Sequence, residues 1–130
     1  MTRVNLIPVQ ELYHKHLVSE YRENPRIFGL VRRAQARGLT SLNIKCPPAY
    51  TMGTGHCLWF YPRLNFILRR QELLISEMLS RGYSPNNVET TELVSGLDLD
   101  WFGDWLPTET DISVSRARIE EKLKAMGVNS

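Results

Sequence analysis

The run Glu20-Tyr21-Arg22-Glu23-Asn24-Pro25-Arg26 sets a carboxylate among guanidinium groups. On a helix, Arg22 and Arg26 stand four apart and share a face, and Glu23 and Arg26 are neighbours at three apart. Arg32, Arg33 and Arg37 continue the positive surface. Such a run can form a solvated face of helix ion pairs. It is also the arrangement needed to anchor a phosphate backbone and move a proton beside it: the arginines hold the phosphates and keep Glu23 ionised as a base.

A second reactive group lies at the start of the chain. Thr2 is small, so removal of Met1 would leave Thr2 with a free α-amine. An α-amine titrates near about 7.7–8.0, against about 10.4 for lysine, so roughly a tenth is unprotonated at neutral pH. A cationic neighbour such as Arg3 lowers the value further. That makes Thr2 a candidate Schiff-base nucleophile. His14, His16 and His56 with Cys46 and Cys57 match no zinc spacing and read as satisfied or surface side chains. Gly53-Thr54-Gly55 is too short for a phosphate-binding P-loop and reads as a tight turn. Trp59-Phe60-Tyr61 could stack on bases, but before an apolar helix it reads as core.

These groups need elements to position them. The 130 residues, 42% apolar, fit one compact domain spanning 1–130. No apolar run approaches membrane length, and no charged segment leads into an apolar stretch as in a secretory signal. Two cysteines make no disulfide framework, so a reducing compartment, the cytoplasm of a cell or viral host, is expected. The net charge of +2 hides an asymmetry: Gly82 to Ser115 carries seven acids and no Lys or Arg, leaving +9 on the remainder. A strongly basic remainder can present a phosphate-binding face.

Residues Arg3 to Ile7 read as a short extended arm. Pro8 can open a helix whose buried stripe is Val9, Leu12, Tyr13, Leu17 and Tyr21. Asn24-Pro25 is either a kink or a fresh start capped by Asn24. Ile27, Leu30, Val31 and Ala34 resume the period, and Gly38 stops it. Leu39 to Tyr61 reads as loop. Pro62 to Arg81 is the clearest helix, with Leu64, Ile67, Leu68, Leu74, Ile75, Met78 and Leu79 on one face and Gly82 as its stop. Tyr83 to Pro107 is mostly irregular. Thr108 with Asp111 resembles a capping box and opens a last helix burying Ile112, Ile119, Leu123 and Met126, closed by Gly127. No segment alternates with period two for long. The expected fold is all-α, with about three packed helices and long loops.

The opening Met1-Thr2-Arg3-Val4-Asn5-Leu6 resembles the pyrimidine-dimer DNA glycosylase family of the phage endonuclease V type. So do His16-Leu17, Glu20-Tyr21-Arg22-Glu23, Pro25-Arg26, Phe28-Gly29 and Val31-Arg32. The likeness continues through Gly53, Gly55-His56, Phe60-Tyr61, Arg70-Gln71, Glu77, Arg81-Gly82, Gly103-Asp104, Pro107, Arg118 and Lys122. The resemblance implies a bifunctional glycosylase and abasic-site lyase acting on cyclobutane pyrimidine dimers in duplex DNA. It implies that the Thr2 amine is the nucleophile and that Glu23 stabilises the cationic sugar and supports β-elimination. Arg3, Arg22 and Arg26 match phosphate and substrate contacts, and Arg118 with Lys122 a further DNA-binding pair. His16 lies one helical turn from Glu20 and two from Glu23, and with Glu20 it would help shape the site; the resemblance implies no metal or cofactor, because the amine supplies the covalent chemistry. The implied partner is double-stranded DNA bearing ultraviolet lesions or abasic sites, engaged by a monomer with no membrane. Reaching a sugar carbon inside a duplex requires distortion of the DNA.

The phage enzyme of that family continues past its last helix into an aromatic and basic tail, whereas this sequence ends at Gly127-Val128-Asn129-Ser130. Affinity is therefore expected to rest more on other loops, and the lesion range to extend toward ring-opened purines and abasic sites. Two rival functions belong to other classes. One is a DNA-binding module without activity; the other, an N-terminal threonine hydrolase, needs a β-rich sandwich that this strand-poor sequence does not supply.

Overall fold

The computed structural model describes residues 3–127. An arm, residues 3–7, leads into a 3-10 turn at Val9–Glu11. Five α-helices follow: α1 (His14–Glu23), α2 (Arg26–Ala36), the single turn α3 (His56–Trp59), α4 (Leu64–Ser80) and α5 (Glu109–Ala125). Among the described residues there is no strand, only an isolated bridge between Arg63 and Phe102, and no helix is long and apolar enough to cross a membrane. The all-α expectation holds. Pro8, however, precedes a 3-10 turn rather than the helix, which begins after Tyr13. The segment Leu39–Tyr61, read as loop, contains α3.

The joint between α1 and α2 is a kink, not a capped restart. Asn24 (φ −54°, ψ −41°) and Pro25 (φ −63°, ψ −16°) both keep helical backbone angles, and no side chain caps α2. Pro25 has no N–H to give the carbonyl of Tyr21 four residues back. Gln71 on α4 fills that gap, its Nε2 donating to the Tyr21 oxygen at 3.2 Å. The Asn24 amide, which caps nothing, donates to the Ile67 carbonyl and to Gln71 Oε1, each at 3.2 Å. The kink is thus held by the helix it packs on.

Helices α2 and α4 both stop on a glycine in the left-handed region, Gly38 (φ 85°) and Gly82 (φ 84°). In each, the amide of the residue beyond the glycine reaches the carbonyl five back, Leu39 to Ala34 at 3.1 Å and Tyr83 to Met78 at 2.9 Å, which closes the helix end. The capping box of α5 forms as expected: the Asp111 amide donates to Thr108 Oγ1 at 3.1 Å and the Thr108 amide to Asp111 Oδ2 at 2.9 Å.

Two apolar clusters make the core. One gathers Val4, Leu6, Ile27, Phe28, Val31, Phe60, Leu64, Ile67 and Trp101. The other joins Ile7, Val9, Leu12, Leu17, Leu74, Met78 and Ile119. The arm contributes to both. Leu79 and Met126, expected inside, are exposed: Leu79 follows buried Met78 by one residue, about 100° round the helix from the stripe of Ile67, Gln71, Leu74 and Met78, and Met126 lies past the end of α5. The acidic segment is pinned to α2 by polar contacts. Arg32 donates to the carbonyls of Glu92, Leu93 and Ser95. Gln35 Oε1 accepts from the Asp98 amide and from the indole N–H of Trp101. Arg32 therefore serves this loop rather than extending a free positive surface.

Between the arm, α1 and α4 lies a buried ion pair. Arg70 Nε and Nη2 donate to the two oxygens of Glu20 at 2.6 and 3.0 Å, and the side chains are 6% and 1% exposed. Removing one partner of such a pair strands the other charge, at a cost of about 3–5 kcal/mol, whereas removing both costs far less. Arg70→Met is expected to lower unfolding free energy by that amount in urea denaturation, and Glu20→Gln added to Arg70→Met to recover part of it. Full additivity of the two losses would contradict the coupling.

Candidate active site

A cleft opens where the arm passes between α1 and α5. It is lined by Arg3 and Asn5 of the arm, His16, Ser19, Glu20 and Glu23 of α1, and Arg118, Ile119 and Lys122 of α5. Positions 16, 19, 20 and 23 recur at helical spacing and so form one stripe of α1. Positions 118 and 122, one turn apart, do the same on α5.

The arm has no neighbouring strand, so its buried amides need other acceptors. Val4 N–H donates to His56 Nε2 at 3.0 Å, and Leu6 N–H to Ser115 Oγ at 3.0 Å. Leaving either donor unpaired in the core would cost about 1–3 kcal/mol. With Val4 and Leu6 buried, Arg3 and Asn5 line the cleft. Arg3 also donates to the Met52 carbonyl. Asn5 Nδ2 donates to Glu20 Oε1 at 2.8 Å, and Arg70 Nη1 donates to the Ile7 carbonyl at 2.7 Å. The Glu20–Arg70 pair thus grips the arm at two points.

Glu20 and Glu23, three residues apart, have different fates. Both Glu20 oxygens are occupied by Arg70, and one also by Asn5. Glu23 keeps its carboxylate partly open, 27% exposed, with Arg26 at 3.8 Å as a loose partner that is itself 62% exposed. An exposed pair at that distance is worth little and is readily exchanged for a substrate group. Two further cleft atoms, His16 Nδ1 and Arg118 Nε, are buried with no hydrogen-bond partner among the described residues. Unsatisfied buried groups are rare in folded proteins; of the four among the described residues these two share the cleft, and the others, Asn24 Oδ1 and Trp59 Nε1, lie outside it. Burial holds the His16 imidazole below its ordinary pKa, reinforced by the Lys122 ammonium and opposed by Glu20.

Of the residues singled out from sequence, Arg3, His16, Glu20, Glu23, Arg118 and Lys122 meet in this cleft. Thr2 lies outside the described residues. Arg26 stands at its Glu23 edge. Arg22 does not line it; it borders a separate depression with Tyr21, Pro25, Gln71, Asn87 and Glu89. Asn5, Ser19 and Ile119 were not foreseen. The helical stripe through His16 and Glu23 could have supplied Ser19, and Asn5 alternates with Arg3 along the arm. Among the described residues no group of three His, Cys, Asp or Glu side chains could hold a metal ion.

Replacing Lys122 by Met removes a positive charge beside His16, so the imidazolium becomes easier to form. The His16 pKa is expected to rise in an NMR titration of Lys122→Met; an unchanged or lower value would remove the ammonium from the vicinity of the ring.

The family model for pyrimidine dimer DNA glycosylase matches residues 1–90, which takes in the arm, α1, α2, α3 and α4. With the cleft assembled from the arm and α1 at its heart, the chain belongs to the pyrimidine dimer DNA glycosylase family.

Proposed function

We propose that this glycosylase works by covalent catalysis through the Thr2 α-amine and that the same site then cleaves the strand as an abasic-site lyase. The amine nitrogen bonds to the sugar carbon bearing the damaged pyrimidine, and the bond from that carbon to the base breaks. The departing base takes a proton, and the sugar ring opens to an iminium. Glu23 faces the cationic sugar across the cleft and stabilises it. It then supports removal of the proton from the adjacent carbon, and the electron pair expels the 3′ phosphate. Water releases the enzyme from the nicked product. Arg3, Arg118 and Lys122 contact phosphates around the lesion, with Arg26 at the rim and Arg22 on the neighbouring surface. The protein acts as a monomer on duplex DNA and also accepts preformed abasic sites.

The observation that carries this reading is the meeting of Arg3, adjacent in sequence to Thr2, with Glu23 in one cleft. Burial of the arm supplies the rigidity that covalent attack requires.

Acetylation or extension of the N-terminus is expected to abolish base removal and nicking while the thermal melt is retained; full turnover by a blocked chain would exclude the amine. Glu23→Gln is expected to bind damaged duplex but not nick it, and normal nicking would remove Glu23 from the mechanism. Binding should weaken with salt, with Arg118→Met plus Lys122→Met lowering the slope of log K against log salt by about two. An unchanged slope would take this pair off the phosphates.

A further inference from the structure

His56 is a buried titratable group that the amine mechanism does not use. It opens α3, is 1% exposed, and lies 52 residues along the chain from its partner on the arm. Its two ring nitrogens face groups whose roles are fixed. The Thr51 carbonyl, 2.9 Å from Nδ1, can only accept. The Val4 amide, 3.0 Å from Nε2, can only donate. The proton therefore sits on Nδ1 and Nε2 is a bare acceptor. The rings of Tyr50 and Phe60 pack against the imidazole at 5.8 and 5.3 Å and fix its plane.

We infer that His56 is a positioning residue that sets the reach of the N-terminal amine by holding the Val4 amide, two residues downstream of Thr2. The inference rests on the amine mechanism proposed above. A backbone amide held by a ring that is locked between a carbonyl and two aromatic faces has little freedom. With Arg3 bonded to the Met52 carbonyl, the segment from Thr51 to His56 clasps the arm next to the nucleophile. The device works only with a neutral ring, because an imidazolium would turn a second N–H toward the Val4 N–H. The surroundings favour neutrality: burial lowers the His56 pKa, and Arg3 on the arm and Arg118 on α5 oppose a further positive charge. The bond to Thr51 works the other way. Tyr50, its hydroxyl pushed up to about 12, adds no charge at neutral pH.

The test compares the full chain with His56→Gln, which offers an amide oxygen where Nε2 stands, and with His56→Leu, which offers no acceptor. Each is checked by circular dichroism melt. Borohydride trapping on an abasic duplex is then followed at saturating enzyme, and affinity for the duplex is measured separately. The Leu variant is expected to trap up to about 100-fold more slowly, as displacement of a reacting group by about 1 Å does, with unchanged affinity. The Gln variant is expected to stay within a few-fold of the parent. A Leu variant as fast as the parent, a loss confined to affinity, or equal losses in both variants would overturn the inference. Should the Leu variant not fold, pH decides. Well below the ordinary imidazole range, because burial depresses the His56 pKa, the parent's trapping rate should fall more steeply than that of the Gln variant, since the amine and the other cleft groups are common to both and only His56 differs. Parallel profiles would overturn it. Absence of any adduct with the parent would instead remove the amine mechanism itself.

Discussion

The Glu20–Arg70 pair is the contact through which the arm, α1 and α4 are fixed to one another. Its charges are taken out of water, which is tolerable only because each ion is paired and holds further hydrogen bonds. Arg70 meets both Glu20 oxygens and the Ile7 carbonyl, and Glu20 receives the Asn5 amide as well. Well-packed apolar residues could fill the same volume, yet they would not fix the arm's course past α1. The pair sets that course, and Glu23 follows Glu20 by about one turn of the same helix, at the cleft instead of in the core. One helix thus presents two carboxylates in opposite states, one fully engaged in holding the structure and one partly open at the cleft.

The same economy governs the basic residues. Arg32 is taken by the carbonyls of the acidic segment, Arg63 stacks over the Trp59 ring at 3.5 Å, and Arg70 and Arg81 are tied to Glu20 and Glu77. Those that line the cleft, Arg3, Arg118 and Lys122, come from opposite ends of the chain and converge only through folding. A phosphate backbone crossing this face would meet them together with the open Glu23. Within the acidic segment, the stretch from Glu92 to Asp98 is secured on α2 by Arg32 and Gln35.

Much of this was legible in the sequence where the cause is local. The helical period, the glycine stops, the capping box at Thr108 and the interruption at Asn24-Pro25 all follow from backbone chemistry within a few residues. So does the stripe that brings His16, Glu20 and Glu23 to one side of α1. The burial of Leu79 was misjudged because it flanks the packed stripe that ends on Met78, and that of Met126 because the period runs on past the end of α5. What could not be read are the pairings across the chain. Glu20 with Arg70 and Val4 with His56 lie 50 and 52 residues apart, and neither side chain carries a local sign of its partner. The family resemblance named the cleft residues, but the division of labour between Glu20 and Glu23 emerges only from the hydrogen bonds.

The central claim is that the covalent bond to DNA forms at the chain's first amine, in the cleft that Arg3 and Glu23 share. The direct measurement is the site of the trapped adduct: borohydride-reduced complex with an abasic duplex, digested and sequenced by tandem mass spectrometry. The sugar remnant is expected on the α-nitrogen of Thr2. A remnant on Lys122 or another lysine side chain, with the α-amine unmodified, would contradict it.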